Sequence, residues 1–351
     1  MPVDVSSSVD DPTTLAASVQ RTFRRLVFWT AWLLLAIPVP AFLLGVDLPL
    51  LIQAFPLAVS AVLLGMPHGA VDHLVLPRLH DRRPSWRSIG AIVVLYALLS
   101  GAYLAWWFLA PAQAAVFFIL LTWFHWGQGE LFPLMAFIEA DHLTSRIQRA
   151  LTIVARGGLP MLVPLLGFPD AYRSVLAALI QPFTASGGSS LGWLFQPSVR
   201  WSLGIAFATV TIVMLLHGYF HSQHRFAWTV DAFETVFLWV FFLTVPPVFA
   251  IGLYFCFWHS ARHVARLIAV DTPARRAIRQ HDLTTALWRF IKDAAPTTAG
   301  ALVLFYALLV IVPNRPDTLL EFSGLYLVLI AVLTLPHVVV VTIMDRYQGI
   351  W

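Results

Sequence analysis

Residues 48–73 read LPLLIQAFPLAVSAVLLGMPHGAVDH, an apolar run long enough to span a bilayer as a helix, closing on two histidines and an aspartate. Polar groups inside hydrocarbon cost several kcal/mol each unless partnered. His68, Asp72 and His73 at the end of such a run therefore call for a functional explanation. Comparable runs recur along the 351 residues, which are 59% hydrophobic and only 11% charged. A soluble domain carries roughly 25% charged residues. The chain reads as an all-α, polytopic integral membrane helix bundle.

Apolar windows predict about ten transmembrane helices, with eight as the lower bound. They fall near 24–45, 48–76, 88–110, 114–139, 148–168, 201–221, 228–245, 248–268, 297–313 and 319–343. The fifth is interrupted by RGGLP at 156–160, and 172–197 reads as a re-entrant or interfacial stretch before TASGGSS. Residues 1–22, polar and without a basic n-region, read as a disordered cytoplasmic tail rather than a cleavable signal. Residues 23–351 then form one transmembrane catalytic domain. Within it, 270–296 is a basic amphipathic segment expected on the cytoplasmic interface.

The basic residues give the orientation. With the N-terminus inside, all 22 Lys and Arg except Arg173, Arg200 and Arg315 fall on the cytoplasmic side. The positive-inside rule accounts for that imbalance and places both termini in the cytoplasm of a plasma-membrane protein. Net charge of +4 is thus topological, and no soluble basic module exists to bind nucleic acid. Cys256 is the only cysteine, which excludes disulfides and thiolate clusters and reads as packing.

Of twelve histidines, His80, His142 and His281 fall in charged loops and read as solvated. The other nine lie in or beside spans: His68, His73, His125, His217, His221, His224, His259, His263 and His337. In the predicted topology they share the cytoplasmic half of the membrane, so several helices can direct imidazoles into one cavity. His259 and His263, like His217 and His221, are spaced i, i+4 and share a helix face. Neutral imidazoles suit zinc, copper, iron or nickel. The nearby carboxylates are Asp72, Glu130, Asp231 and Glu234. Asp72 and Glu130 follow His68 and His125 at similar spacing and are candidates to orient ligating histidines from behind. Residue type alone leaves an O₂-binding iron site and a zinc hydrolase both open.

The motifs GMPHGAVDH, FHWGQGE, FWHSARH and TLPH, in this order, resemble the Brp/Blh-type membrane family of β-carotene 15,15′-dioxygenases, over about residues 65–340. The resemblance implies O₂-dependent cleavage of β-carotene at its central double bond to two all-trans-retinal, with membrane lipid as surroundings and a microbial opsin as recipient. It also implies a non-haem Fe(II) held by four histidines. Carried over by motif, these are His68, His125, His259 and His263, with His73, His221 and His337 as weaker candidates. The aromatic runs YLAWWF, FFILLTWFHW and FLWVFF are expected to line a hydrocarbon tunnel beside the metal. Rival readings are a different carotenoid or cleavage position, a di-metal hydroxylase, and a non-enzymatic retinal or carotenoid carrier. No His-His pair supports the di-metal site. A Schiff-base chromophore protein is disfavoured because the sole lysine, Lys292, lies in the basic segment.

Overall fold

The computed structural model describes residues 17–184 and 189–351, and every regular element among them is helical. In chain order the long helices are α1 (Ala17–Leu43), α5 (Trp86–Leu109), α6 (Pro111–Phe132), α7 (Arg146–Gly167), α9 (Pro197–His221), α10 (Arg225–Thr244), α14 (Leu283–Ile311) and α15 (Leu319–Tyr347). Between them lie α2 (Leu50–Ser60), α3 (Pro67–Ala70), α4 (Asp72–Leu79), α8 (Pro169–Ile180) and α13 (Thr272–Arg279). One further rod runs without a break from α11 (Pro247–Leu253) through a π-turn (Tyr254–Ser260) into α12 (Ala261–Val270).

Among the described residues, seven helices are long and apolar enough to cross a membrane: α1, α5, α7, α9, α10, α14 and α15. The sequence predicts about ten, and the three further stretches differ from these seven in length or polarity. Predicted span 48–76 breaks after Ser60, because Gly65 turns the chain so tightly that a Cβ there would sit 2.6 Å from Ser60 Cβ. The eleven residues of α2 rise only about 16 Å, half a bilayer core. The spans predicted at 114–139 and 248–268 become α6 and the α11–α12 rod. Each carries a cluster of polar side chains that turns inward: His125, Gln128 and Glu130 on α6, and Arg262, His263 and Arg266 on α12 are all buried. Both are nonetheless long enough to reach across a bilayer core, and α6 keeps an outward apolar face at Val116, Leu120 and Phe124.

Several boundaries also move. Residues 1–16 of the predicted tail lie outside the described residues, but 17–22 are already helical. Val19 and Phe23 are buried there, and Gln20 donates to the Ala136 carbonyl at 2.8 Å. Helix α7 runs unbroken through RGGLP, because its glycine serves close packing. A Cβ on Gly157 would lie 1.9 Å from the Trp123 carbonyl oxygen, and one on Gly127 2.1 Å from that of Ile153. Helices α6 and α7 thus meet backbone to backbone, the small-residue contact expected where lipid gives no hydrophobic push. The ambiguous 172–197 stretch begins as α8, packed on α15; residues 185–188 of TASGGSS lie outside the described residues. The basic segment folds as α13 and the first turns of α14, which continues through Pro296 instead of starting at 297.

Candidate metal centre

Five imidazoles meet where α3, α6, the π-turn, α12 and α15 converge. His68, His125, His259, His263 and His337 are each at least nine-tenths buried. His68 lies 5.0 Å from His337 and 5.4 Å from both His259 and His263 between ring centroids. His125 lies 4.8 Å from His259 and from His337, and His263 lies 5.1 Å from His337.

Local sequence explains how each ring is aimed. In the four-residue α3, His68 Nδ1 donates to the carbonyl of Gly65, with Ser260 Oγ 3.2 Å away. A carbonyl can only accept, so the proton is on Nδ1 and Nε2 is left as a lone-pair donor. His337 Nδ1 donates to Asp72 Oδ2 at 2.8 Å, and Tyr96 donates to the same oxygen at 2.6 Å. That carboxylate fixes the tautomer of His337 and leaves its Nε2 free. The π-turn places His259 so that its Nε2 stands 3.1 Å from His125 Nε2. π-turns recur at functional sites because the wider turn re-aims side chains.

The residues fit a bound cation. The nitrogens His263 Nε2 and His337 Nε2 are buried without a hydrogen-bond partner. Ring nitrogens of His68, His125 and His337 all lie within 4.8 Å of one another, as do ligand atoms of Asp72, His263 and His337. Nitrogens bound to one transition ion at about 2.0–2.1 Å stand roughly 3.0–3.4 Å apart, which the His125–His259 pair already matches. Orphaned buried nitrogens facing one point are costly unless something accepts them.

Behind the rings, a second polar layer locks the rod. Arg156 and Arg262 are fully buried and share Glu130, at 2.7 and 2.8 Å, and Glu234. Trp258 and Trp32 donate to these carboxylates at 3.1 and 2.7 Å. Arg266 pairs with Asp345 at 2.6 Å, and Gln128 donates to Asp345 at 2.7 Å. Helix α12 is therefore tied directly to α6, α10 and α15, and to α7 through the carboxylates that Arg156 shares. Breaking one partner of such a pair costs about 3–5 kcal/mol, which makes the rod stiff.

Of the residues singled out from the sequence, His68, His125, His259, His263 and His337 come together. Asp72 stands behind His337 rather than behind His68. Glu130 contacts no histidine; five residues beyond His125 is about 140° around a helix, so it faces the arginines instead. His73 is half-buried and faces a neighbouring cavity. His221 is exposed, stacked on His217 at 4.1 Å, and His217 bonds Gln148 at 2.7 Å, outside the cage. His142, expected in solvent, is fully buried and bonds Asp231 at 3.0 Å, because its loop folds back between α9 and α10. Tyr96 went unrecognised in the sequence; it is one of many aromatics on an apolar helix and carries no local signal.

Two apolar cavities flank the cage. One, of about 120 Å³, is lined by Phe118, Trp126, Leu176 and Leu327 among others. The second, of about 730 Å³, is lined by Trp86, Val93, Gly300 and Leu304 among others. Of the predicted tunnel aromatics, Phe118 and Trp126 line the first cavity. The runs YLAWWF and FLWVFF line neither, since Tyr103, Trp107, Phe241 and Phe242 are packed in the hydrophobic core.

The sequence model of the family described as beta-carotene 15,15′-dioxygenase matches residues 59–345. The chain is 50% identical over 338 residues to the probable beta-carotene 15,15′-dioxygenase Blh of Halobacterium salinarum strain NRC-1, covering 96% of this chain and 97% of that protein. It is 30% identical to the probable beta-carotene 15,15′-dioxygenase Brp of H. salinarum strain R1, over 88% of each chain. A beta-carotene 15,15′-dioxygenase from the uncultured marine bacterium 66A03 is 25% identical over 58% of this chain and 65% of its own. No solved structure matches.

Proposed function

From the chain's membership of the β-carotene 15,15′-dioxygenase family, we propose that it cleaves β-carotene with O₂ across the central 15,15′ double bond, giving two molecules of all-trans-retinal. The observation that carries the reading is a cage of five buried imidazoles set between two apolar cavities, in a chain half identical to a probable enzyme of that activity.

His68, His125, His259 and His263 are the proposed ligands of a non-haem iron, and His337, whose ring nitrogens approach those of His68, His125 and His263, is a fifth candidate donor. An all-imidazole donor set suits Fe(II) while leaving room for a further ligand. Bound there, the iron would supply the activation of O₂ that the polyene itself cannot. The chain's own residues hold and orient. Gly65 and Asp72 keep His68 and His337 in the tautomers that point Nε2 inward. The apolar linings exclude water and fix which double bond lies beside the cage, and that position decides the products. The protein sits in a membrane, where a substrate this insoluble resides. We assign it to the plasma membrane with both termini cytoplasmic, supplying retinal to a microbial opsin.

Expression in a β-carotene-producing bacterium, followed by chromatography and metal analysis, tests the reading. Retinal with no longer apocarotenal, and iron that disappears with His259→Ala, is the expected result. A longer apocarotenal would move the cut. Undiminished carotene from inserted, iron-loaded protein would leave a carrier role instead.

A further inference from the structure

The two cavities are not independent. His68, Phe255, Ile330 and Thr334 line both, so only these side chains stand between the two chambers beside the cage. The smaller one follows α15 from Thr334 to Leu320, about 21 Å at 1.5 Å per residue. None of its lining residues is exposed. The larger one is different. It runs between α5, from Trp86 to Tyr96, and α14, from Pro296 to Leu304. Several of its wall residues face outward: Trp86 is 88% exposed, Val93 58% and Leu304 52%. Helices α5 and α14 both pack on α15, and α14 also on α3, but they hardly touch one another. A cleft in the side of the bundle remains, open where lipid chains lie.

We infer that this cleft is a lateral portal through which the carotenoid enters from the bilayer, end first. The leading half displaces the side chains of Phe255, Ile330 and Thr334 and enters the inner chamber, which widens along α15 to take it, while the trailing half stays in the portal cavity. The inference rests on the proposed reaction and adds the route and the source of its regiospecificity. Moving a long hydrocarbon through water would forfeit about 0.8 kcal/mol for each buried CH₂, whereas a side opening never exposes it. The inner chamber acts as a depth stop: its far end at Leu320 determines which bond halts beside the imidazoles.

Gly300 gives a clean test. It lies in the portal wall, and a Cβ there would meet nothing within 4 Å, so bulk can be added without disturbing packing. Wild type, Gly300→Ala, Gly300→Trp and Val93→Trp are compared in nanodiscs, with iron content and melting temperature measured for each. Anaerobic β-carotene uptake, read by absorbance, reports entry without turnover. Uptake rates at least tenfold lower for both Trp variants, with Gly300→Ala like wild type and iron unchanged, are expected. Uptake at the wild-type rate in folded Trp variants would overturn the portal, whether or not the protein cleaves carotene.

Leu327→Trp, in the inner chamber, tests the depth stop. With oxygen it should yield an unequal pair of aldehydes, the longer from the trailing half. Retinal alone from an active Leu327→Trp variant would overturn the stop. If wild type takes up carotene but releases no cleavage product, the proposed reaction fails while the portal stands.

Discussion

At the scale of single residues, Asp72 shows how far a motif can be read and where reading stops. Its position four residues after His68 suggests a partner for that ring, yet its oxygen holds His337, 265 positions away. Nothing local in the sequence carries that pairing, because it arises from α4 meeting α15. His68, by contrast, is oriented by its own turn through the Gly65 carbonyl, and GMPHGAVDH marks it as a residue of interest. Carboxylates that orient a ligating imidazole typically tune metal affinity by 10–100-fold. Asp72→Asn should therefore weaken iron binding within that range and leave the fold intact, because Asn keeps an acceptor for Tyr96 and His337. Iron retained during chelator titration, compared with the melting temperature, separates the two effects. A variant that holds iron as tightly as wild type would remove Asp72 from the site.

At the scale of helices, the histidine-bearing elements are the ones hardest to recognise as spans. Helix α6 and the α11–α12 rod differ from the seven more apolar helices in the polar residues that they turn inward. Periodicity reports apolar surface, not whether lipid or protein lies against it. The arginines show the same limit. Arg156, Arg262 and Arg266 counted toward the charge on the inner surface, and all three are buried partners of Glu130, Glu234 or Asp345. Glycines make a sharper prediction. Gly127→Ala should prevent α6 and α7 from closing, since the new methyl would lie 2.1 Å from the Ile153 carbonyl oxygen. Fluorescence-detected size-exclusion after heating should show little folded protein. A melting temperature within a few degrees of wild type would show that the helices can part at small cost.

For the whole molecule, the all-helical architecture and membrane habit were legible from composition and apolar runs, whereas of the nine histidines expected to converge only five meet. The cavities were not legible, because which aromatics pack and which line a void depends on helix contacts. Orientation remains open to a direct measurement. Cys256 is buried, so the native chain should resist maleimide until unfolded. In a Cys256→Ala background, Lys292→Cys should label only from the cytoplasmic side and Arg315→Cys only from the opposite side. These residues sit in the basic segment before α14 becomes apolar and in the loop after it. Labelling of both from one side would overturn the assigned topology.

The π-turn at Tyr254–Ser260 has a consequence for how the chain can vary. Its two flanks are gripped by different neighbours: Gly252 of α11 presses on the backbone of Leu57, while Arg262 of α12 reaches Glu130 and Glu234. The turn holds one residue more than an α-turn, and that surplus sets the phase between the two grips. Loss of any single residue there would rotate α12 by about 100° against α11. The imidazoles would swing off the cage, and after a loss ahead of His259 the places of His259 and His263 would fall to Ser260 and Val264. Apart from His259 and Trp258, side chains in this stretch can vary, but its length is fixed: relatives that keep the cage should differ here by substitution and not by insertion or deletion.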